Sequence, residues 1–294
     1  MGLGICLDTP ATSSSSMLIL RCFISLFLFG SFLLPAVAQS VLLTGQLQDQ
    51  RTHRPIPFVS IGVKGKNVGT VADETGQFSL RVPEALAGDS LTFSAIGYQA
   101  QVFSLMQLAP GQPQTVLLRE KSTELQEVVV RARTTKTRRI GTTTHNPLLW
   151  GNIQQKETHD MVEFAKFIPL ANRPSELLQA HIFLRRPTVD TVTFRLNFYR
   201  AGSDRPEERV VERNILVRTA IRNGWLTIDL AAYALTLQTD FYLGFEFLPD
   251  KQLPVPAFSY GAQFGGAALV RTSSLGTWIR QPGASLTAYV TVRQ

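Results

Sequence analysis

From residue 41 onward the apolar residues recur at every second position, and no stretch sustains the period of an amphipathic helix. Phe78, Leu80 and Val82 alternate with Gln77, Ser79 and Arg81. Val192, Phe194, Leu196 and Phe198 alternate with Thr193, Arg195, Asn197 and Tyr199. The same holds for Leu226, Ile228 and Leu230; for Phe241, Leu243, Phe245 and Phe247; and for Leu286, Ala288, Val290 and Val292. Such runs make strands with one buried and one wetter face, the habit of antiparallel sheets. The expected fold class is therefore all-β. A chain of 294 residues holds one large domain or two ordinary ones.

Residues 17–40 break this pattern. Arg21 is followed by an apolar run from Cys22 to Leu34, then Pro35 and the small-x-small sequence Ala36-Val37-Ala38. That is the layout of a cleaved secretory signal, and the run is short for a membrane span. Residues 1–38 are read as signal peptide with Met17 as the expected start, and no membrane segment is expected in the mature chain. The destination is export: periplasm, cell surface or extracellular space. Cys6 and Cys22, the only cysteines, both precede the expected mature chain. Disulfides, thiolate metal sites and a cysteine nucleophile are thereby excluded from the folded part.

Residues 39–119 read as about seven short strands separated by turns, enough for a small sandwich. Four ordered signatures stand out: Gly45; Pro55-Ile56-Pro57 leading to Ile61; Gly69-Thr70 with Asp73-Glu74-Thr75-Gly76 and Phe78; and Asp89 to Gly97-Tyr98. In this order they resemble the carboxypeptidase regulatory-like, or peptidase-associated, domain of exported Bacteroidetes proteins. The resemblance implies a transthyretin-like (prealbumin-like) β-sandwich without catalytic activity of its own. From the residues alone, the signatures are turn and core chemistry. Two carboxylates at Asp73-Glu74 are too few for a dedicated calcium loop, and the Gly65 to Thr70 stretch lacks phosphate-loop order.

Residues 120–149 read as a linker. It holds a short strand, Val128-Val129-Val130, followed by Arg131, Arg133, Lys136, Arg138 and Arg139. In TonB-dependent outer-membrane receptors a similar Leu-x-Glu-Val-Val-Val segment precedes a plug and barrel. About 160 residues follow here, fewer than those parts need, so receptor function is not expected. The basic cluster carries no interleaved aromatics, and nucleic acid is not an expected partner. The formal net charge of +7 is otherwise scattered.

Residues 150–294 are expected to form a second antiparallel β-sandwich of jelly-roll type, with short helical pieces at Pro174 to Gln179 and Leu230 to Tyr233, and a hairpin turn at Asn223-Gly224. His145, His159 and His181 show no metal-ligand spacing, and no nucleophile elbow occurs. Asp229 and Glu246 read as surface charge. No metal or cofactor is expected. Tyr199, Trp225, Tyr242 and Trp278 lie out of phase with the core positions and are candidate ligand-stacking residues, core packing being the competing reading. The sequence points to a non-catalytic envelope protein that binds a polysaccharide or a protein partner. An exported hydrolase with a site assembled from distant residues, or a structural and adhesive module, are the alternatives.

Overall fold

The computed structural model describes residues 40–108, 111–121, 136–153, 160–185, 189–248 and 258–294. Residues 1–38, read as a signal peptide, both cysteines, Val128 to Val130, read as a short strand, and Arg131, Arg133 and His159 lie outside the described residues. Ser40–Gln294 form a compact unit that carries its own cores.

The first sandwich contains β1 (Ser40–Asp49), β2 (Ser60–Val63), β3 (Gly69–Val71), β4 (Gln77–Pro83), β5 (Ser90–Ser94), β6 (Gln101–Ser104) and β7 (Gln114–Leu118). One sheet runs β4-β1-β7 and the other β3-β2-β5-β6. Leu43, Leu47, Phe78, Leu80 and Val82 from the first sheet pack against Ile61, Val63, Leu91 and Phe93 from the second. Their alternation in sequence is what delivers them to one face each. The Asp73 carboxylate folds back to accept the Thr75 and Gln77 amides, each at 2.9 Å, closing the turn before β4.

The second sandwich begins earlier than its sequence suggests. Thr137–Gly141, read as linker, is strand β8 and pairs with the C-terminal strand, so the domain starts near residue 137 and not 150. It continues with β9 (Trp150–Ile153), β10 (Val162–Ile168), β11 (Ser175–Arg185), β12 (Val189–Ala201), β13 (Pro206–Arg209), β14 (Ile215–Ile221), β15 (Gly224–Asp229), β16 (Thr236–Leu237), β17 (Phe241–Leu248), β18 (Phe258–Arg271), β19 (Ile279–Leu286) and β20 (Ala288–Arg293). The front sheet runs β12-β17-β10-β18, flanked by β13 and β14 on one side and β19 on the other. The back sheet runs β11-β20-β8, with β15 and β16 on the free side of β11. The long β18 pairs with β9 and β11 at its start and with β10 and β19 later, so it belongs to both sheets. Phe194, Phe198, Phe241, Phe245 and Phe247 of the front sheet meet Leu177, Ile182, Val290 and Val292 of the back sheet in one core.

Two local expectations change. Pro174 to Gln179 is not helical but opens β11, where a bulge between Leu177 and Gln179 shifts the register. That bulge interrupts the period of two and hides the strand. Asn223-Gly224 does not close a hairpin: β14 pairs with β12 in the front sheet, and β15 pairs with β11 in the back sheet. Ile215, Ile221 and Ile228 all enter the shared core, so the turn carries the chain around the corner of the sandwich. The turn after β15, Ala231–Tyr233, is a 3₁₀ turn as expected from its short apolar run.

The two sandwiches meet through close backbone contact. The loop after β18 lays Ser274 against Gly62 and Gly69, and the Gly65 amide donates to the Leu275 carbonyl at 3.0 Å. A Cβ on Gly69 would lie 2.7 Å from both the Ser274 and Ile61 carbonyl oxygens. Gly69, legible in sequence as turn chemistry, is therefore also the gap into which the second sandwich fits. Phe58 and Val71 of the first sandwich share a buried cluster with Met161 and Leu248 of the second. Farther out, Glu212 accepts from Lys121 Nζ at 2.6 Å and from the Gly97 amide at 3.2 Å. Gly69→Ala is expected to destabilise the protein by about 2 kcal/mol in urea unfolding, since the Ile61 carbonyl belongs to β2 and the Ser274 carbonyl to the loop that packs against it. Gly88→Ala, with open space around its position, is the matched control and should shift stability by less than about 0.5 kcal/mol. Equal shifts would refute the close-approach role of Gly69.

Candidate functional site

The outer face of the front sheet, read as its wetter side, is largely buried. Register sets four charged residues in one line across four strands: Arg195 opposite Glu246, Glu246 opposite Glu163, and Glu163 opposite Arg271. Glu163 and Glu246 are fully buried, so Glu246 is not the surface charge its sequence context suggests. Arg195 grips the Glu246 carboxylate with Nε and Nη2, both at 2.7 Å. The same guanidinium crosses to the first sandwich, donating to the Phe58 carbonyl at 2.6 Å and to Ser60 Oγ at 3.1 Å. Arg271 Nε donates to Glu163 Oε2 at 2.7 Å.

Like charges directly opposite one another destabilise a sheet. Here the Asn197 amide stands between the two carboxylates, donating to Glu163 Oε1 at 2.8 Å and Glu246 Oε2 at 2.7 Å. Tyr199 donates its hydroxyl to Glu163 Oε1 at 2.8 Å, and Arg209 donates to Asn197 Oδ1 at 3.1 Å. A Cβ at Gly244 would strike Glu163 Oε1 and the Tyr199 ring, so glycine leaves the room the network needs. Burial alone would raise the Glu246 carboxyl, but the Arg195 guanidinium overrides it and holds the group down at about 2. Folding thus favours the ionised form. This contribution is complete above the unfolded value near 4.5 and is lost as pH falls toward 2. Glu246→Gln leaves a buried guanidinium short of its counter-charge and is expected to cost about 3–5 kcal/mol by urea unfolding near neutral pH. A loss under about 1 kcal/mol would contradict a buried, structurally essential pair.

Beyond this sealed row the same face opens into a groove. Successive rows carry Asn197, Gly244, Ala165 and Leu269, then Tyr199, Tyr242 and Phe167. The small side chains of Ala165, Ala267, Gly266 and Gly202 leave a cavity of about 480 Å³. Its floor includes Phe167 and Tyr242, whose ring centroids are 5.4 Å apart. Ser203 and Asp204 line one part and Arg280 and Ser285 another. Burial pushes the Tyr242 phenol up, the Asp204 carboxylate adds to that shift, and Arg280 opposes it. The groove therefore joins an apolar ring surface to polar and charged groups of both signs. Asp204 is the only carboxylate in its described lining.

The four aromatic candidates do not converge. Tyr199 is buried, its hydroxyl committed to Glu163 and Arg271. Tyr242 is buried too, but borders the groove. Half-buried Trp278 stands edge-on to Tyr199 at 5.8 Å, with the Arg271 guanidinium 4.9 Å from its ring centre. Trp225 lies on the back sheet, edge-on to Phe183 and Tyr289. Tyr199 is thus committed to the buried network, and Trp278, in the segment before β19, packs over it. Phe167 was not singled out from sequence, although it falls out of phase with Phe164 and Ile168 and is 41% exposed. Among the described residues no group of three or more His, Cys, Asp or Glu stands where it could hold a metal ion.

His181 of the back sheet is buried, stacked on Tyr289 at 4.1 Å, with Nδ1 3.0 Å from Thr227 Oγ1 and Nε2 2.9 Å from Thr291 Oγ1. Burial, aided by Arg139, pushes it down to about 4. The unfolded chain therefore takes up a proton before the folded one does. Stability is complete above about pH 6.5 and is expected to fall by roughly 1–2 kcal/mol between there and pH 4. His181→Gln should flatten that segment of the stability–pH curve; an unchanged slope would contradict the neutral, buried state.

Residues 43–130 match the CarboxypepD_reg-like domain family. The TonB-dependent receptor SusC of Bacteroides thetaiotaomicron is 35% identical over 102 residues, covering 34% of this chain and 9% of that protein. The chain thus corresponds to a small fraction of that relative's length. Among solved structures, the infectious bursal disease virus Gt strain covers 87% of this chain and 59% of its own at 10% identity and a TM-score of 0.24. The T=1 particles derived from infectious bursal virus give 86%, 60%, 8% and 0.21 for the same quantities. Similarity at that level carries no argument about fold or function.

Proposed function

We propose that this chain, with its CarboxypepD_reg-like domain at residues 43–130, is a non-catalytic, exported cell-envelope protein whose front-sheet groove binds a glycan. The observation that carries the reading is the pairing of the Phe167 and Tyr242 rings with Asp204 and Arg280 around one open cavity. A sugar ring offers an apolar C–H face for an aromatic floor and hydroxyls for flanking charged side chains. A volume of about 480 Å³ falls within the range of small-ligand pockets. Export is supported by the signal-like layout of residues 17–40. The partial match to a TonB-dependent receptor supports an envelope association.

Two features favour binding over catalysis. Among the described residues, the charged row around Glu163 and Glu246 is buried and internally bonded. The described groove lining offers one carboxylate where glycoside hydrolysis uses a pair. The test is a glycan-array screen of residues 40–294 followed by calorimetric titration with the best hit. Phe167→Ala is expected to weaken that binding about tenfold without lowering the melting temperature, because the ring is partly exposed. No glycan binding, or undiminished binding in the variant, would overturn the glycan reading. Hydrolysis of the hit during titration would overturn the non-catalytic one.

A further inference from the structure

The opposite face of the second sandwich presents a different surface. Between β8 and β9 the chain crosses the outer side of the back sheet and turns through Asn146-Pro147-Leu148-Leu149-Trp150. Leu148 is 82% exposed and Trp150 is 47% exposed. Single exposed apolar residues are ordinary on protein surfaces. These are held out by a fixed loop. Asn146 Oδ1 accepts the Leu148 amide at 2.9 Å, Arg185 Nη1 donates to the Pro147 carbonyl at 3.0 Å, Gln263 Nε2 donates to the Thr144 carbonyl at 2.6 Å, and the Ala262 amide donates to the Leu149 carbonyl at 3.2 Å. The leucine is thus ordered in water before any partner arrives.

The surroundings of the loop are cationic and aromatic. The Arg185 guanidinium lies 4.5 Å from the Trp150 ring centre, and exposed His145 stacks on Phe183 at 4.1 Å. Phe183 meets Trp225, Trp225 meets Tyr289, and Arg139 lies 5.8 Å from the Tyr289 ring centre. One continuous set of contacts therefore connects the loop to β8, where Arg138 and Arg139 are exposed, with exposed Lys136 just before it. Neither Arg139 nor Arg185 is in an ion pair among the described residues. An apolar tip, a tryptophan beside it and nearby arginines match the requirements of an anionic bilayer surface: leucine enters the acyl boundary, tryptophan sits at headgroup level, and arginines meet phosphates.

We infer that the Asn146 to Trp150 loop and the adjoining basic strand β8 form a peripheral contact for anionic lipid, placing the back sheet against a membrane. Neither the loop tip nor β8 contributes a residue to the described groove lining, so this contact does not rest on the glycan reading. The test uses residues 40–294, which form a compact unit without the apolar run of residues 22–34. Sedimentation is measured with phosphatidylcholine vesicles and with vesicles containing about one-third phosphatidylglycerol. The expected result is binding to the anionic vesicles alone, weakened about fivefold or more by Leu148→Asp and by high salt. Arg139→Glu should weaken it as well, while circular dichroism melting of both variants stays unchanged because both side chains are exposed. Trp150→Phe should remove the blue shift of tryptophan fluorescence seen on vesicle binding. Absence of vesicle binding, equal binding to neutral vesicles, or undiminished binding of Leu148→Asp would each overturn the inference.

Discussion

Arg195 does two jobs with one guanidinium. It neutralises Glu246 inside the front sheet, and it supplies hydrogen bonds to Phe58 and Ser60 of the other sandwich. A buried arginine is costly unless its donors are used. Satisfying this one requires the first sandwich to be in place. Docking therefore creates a local demand: it takes the guanidinium out of water, and the Phe58 carbonyl and Ser60 hydroxyl must replace the water it loses. Gly62 and Gly69 let the backbones come close enough for that demand to be met.

The same face then grades outward by row. Leu248 packs with Phe58, Glu246 joins the charge row, Gly244 makes room, and Tyr242 reaches the groove. These alternate positions of β17 run from the inter-sandwich contact to the candidate binding site within a single strand. The groove is a direct continuation of the docking surface, on a strand buried along its whole length and paired on both sides. Precise placement of a few polar groups around an aromatic floor depends on such rigidity.

Much of the fold was legible in the sequence because period-two alternation reports directly on which side chains share a face. It also located the first domain and the strands β12, β15, β17 and β20. It failed where geometry broke the period, as at the Leu177/Gln179 bulge, and where pairing is decided at long range, as for the two strands flanking Asn223-Gly224. The site was less legible. Out-of-phase aromatics stand out in the sequence as stacking candidates, but alternation cannot say whether the second face of a sheet meets water or another domain. Arg195, Asn197 and Tyr199 read as a wet face and are buried. The signal that was present is a charge flanked on both sides by apolar residues, at Glu163, Arg195 and Glu246. Only register aligns these into one row.

The central claim is that the two sandwiches are one cooperative unit, coupled through Arg195. Segment-resolved native-state hydrogen exchange tests it most directly. The account predicts that core amides of β1, β4 and β5 open with the same free energy as those of β10, β12 and β17, and that Arg195→Met lowers the first set below the second. Opening of the first sandwich at distinctly lower free energy in the unaltered protein would contradict it, showing two independent domains that merely touch.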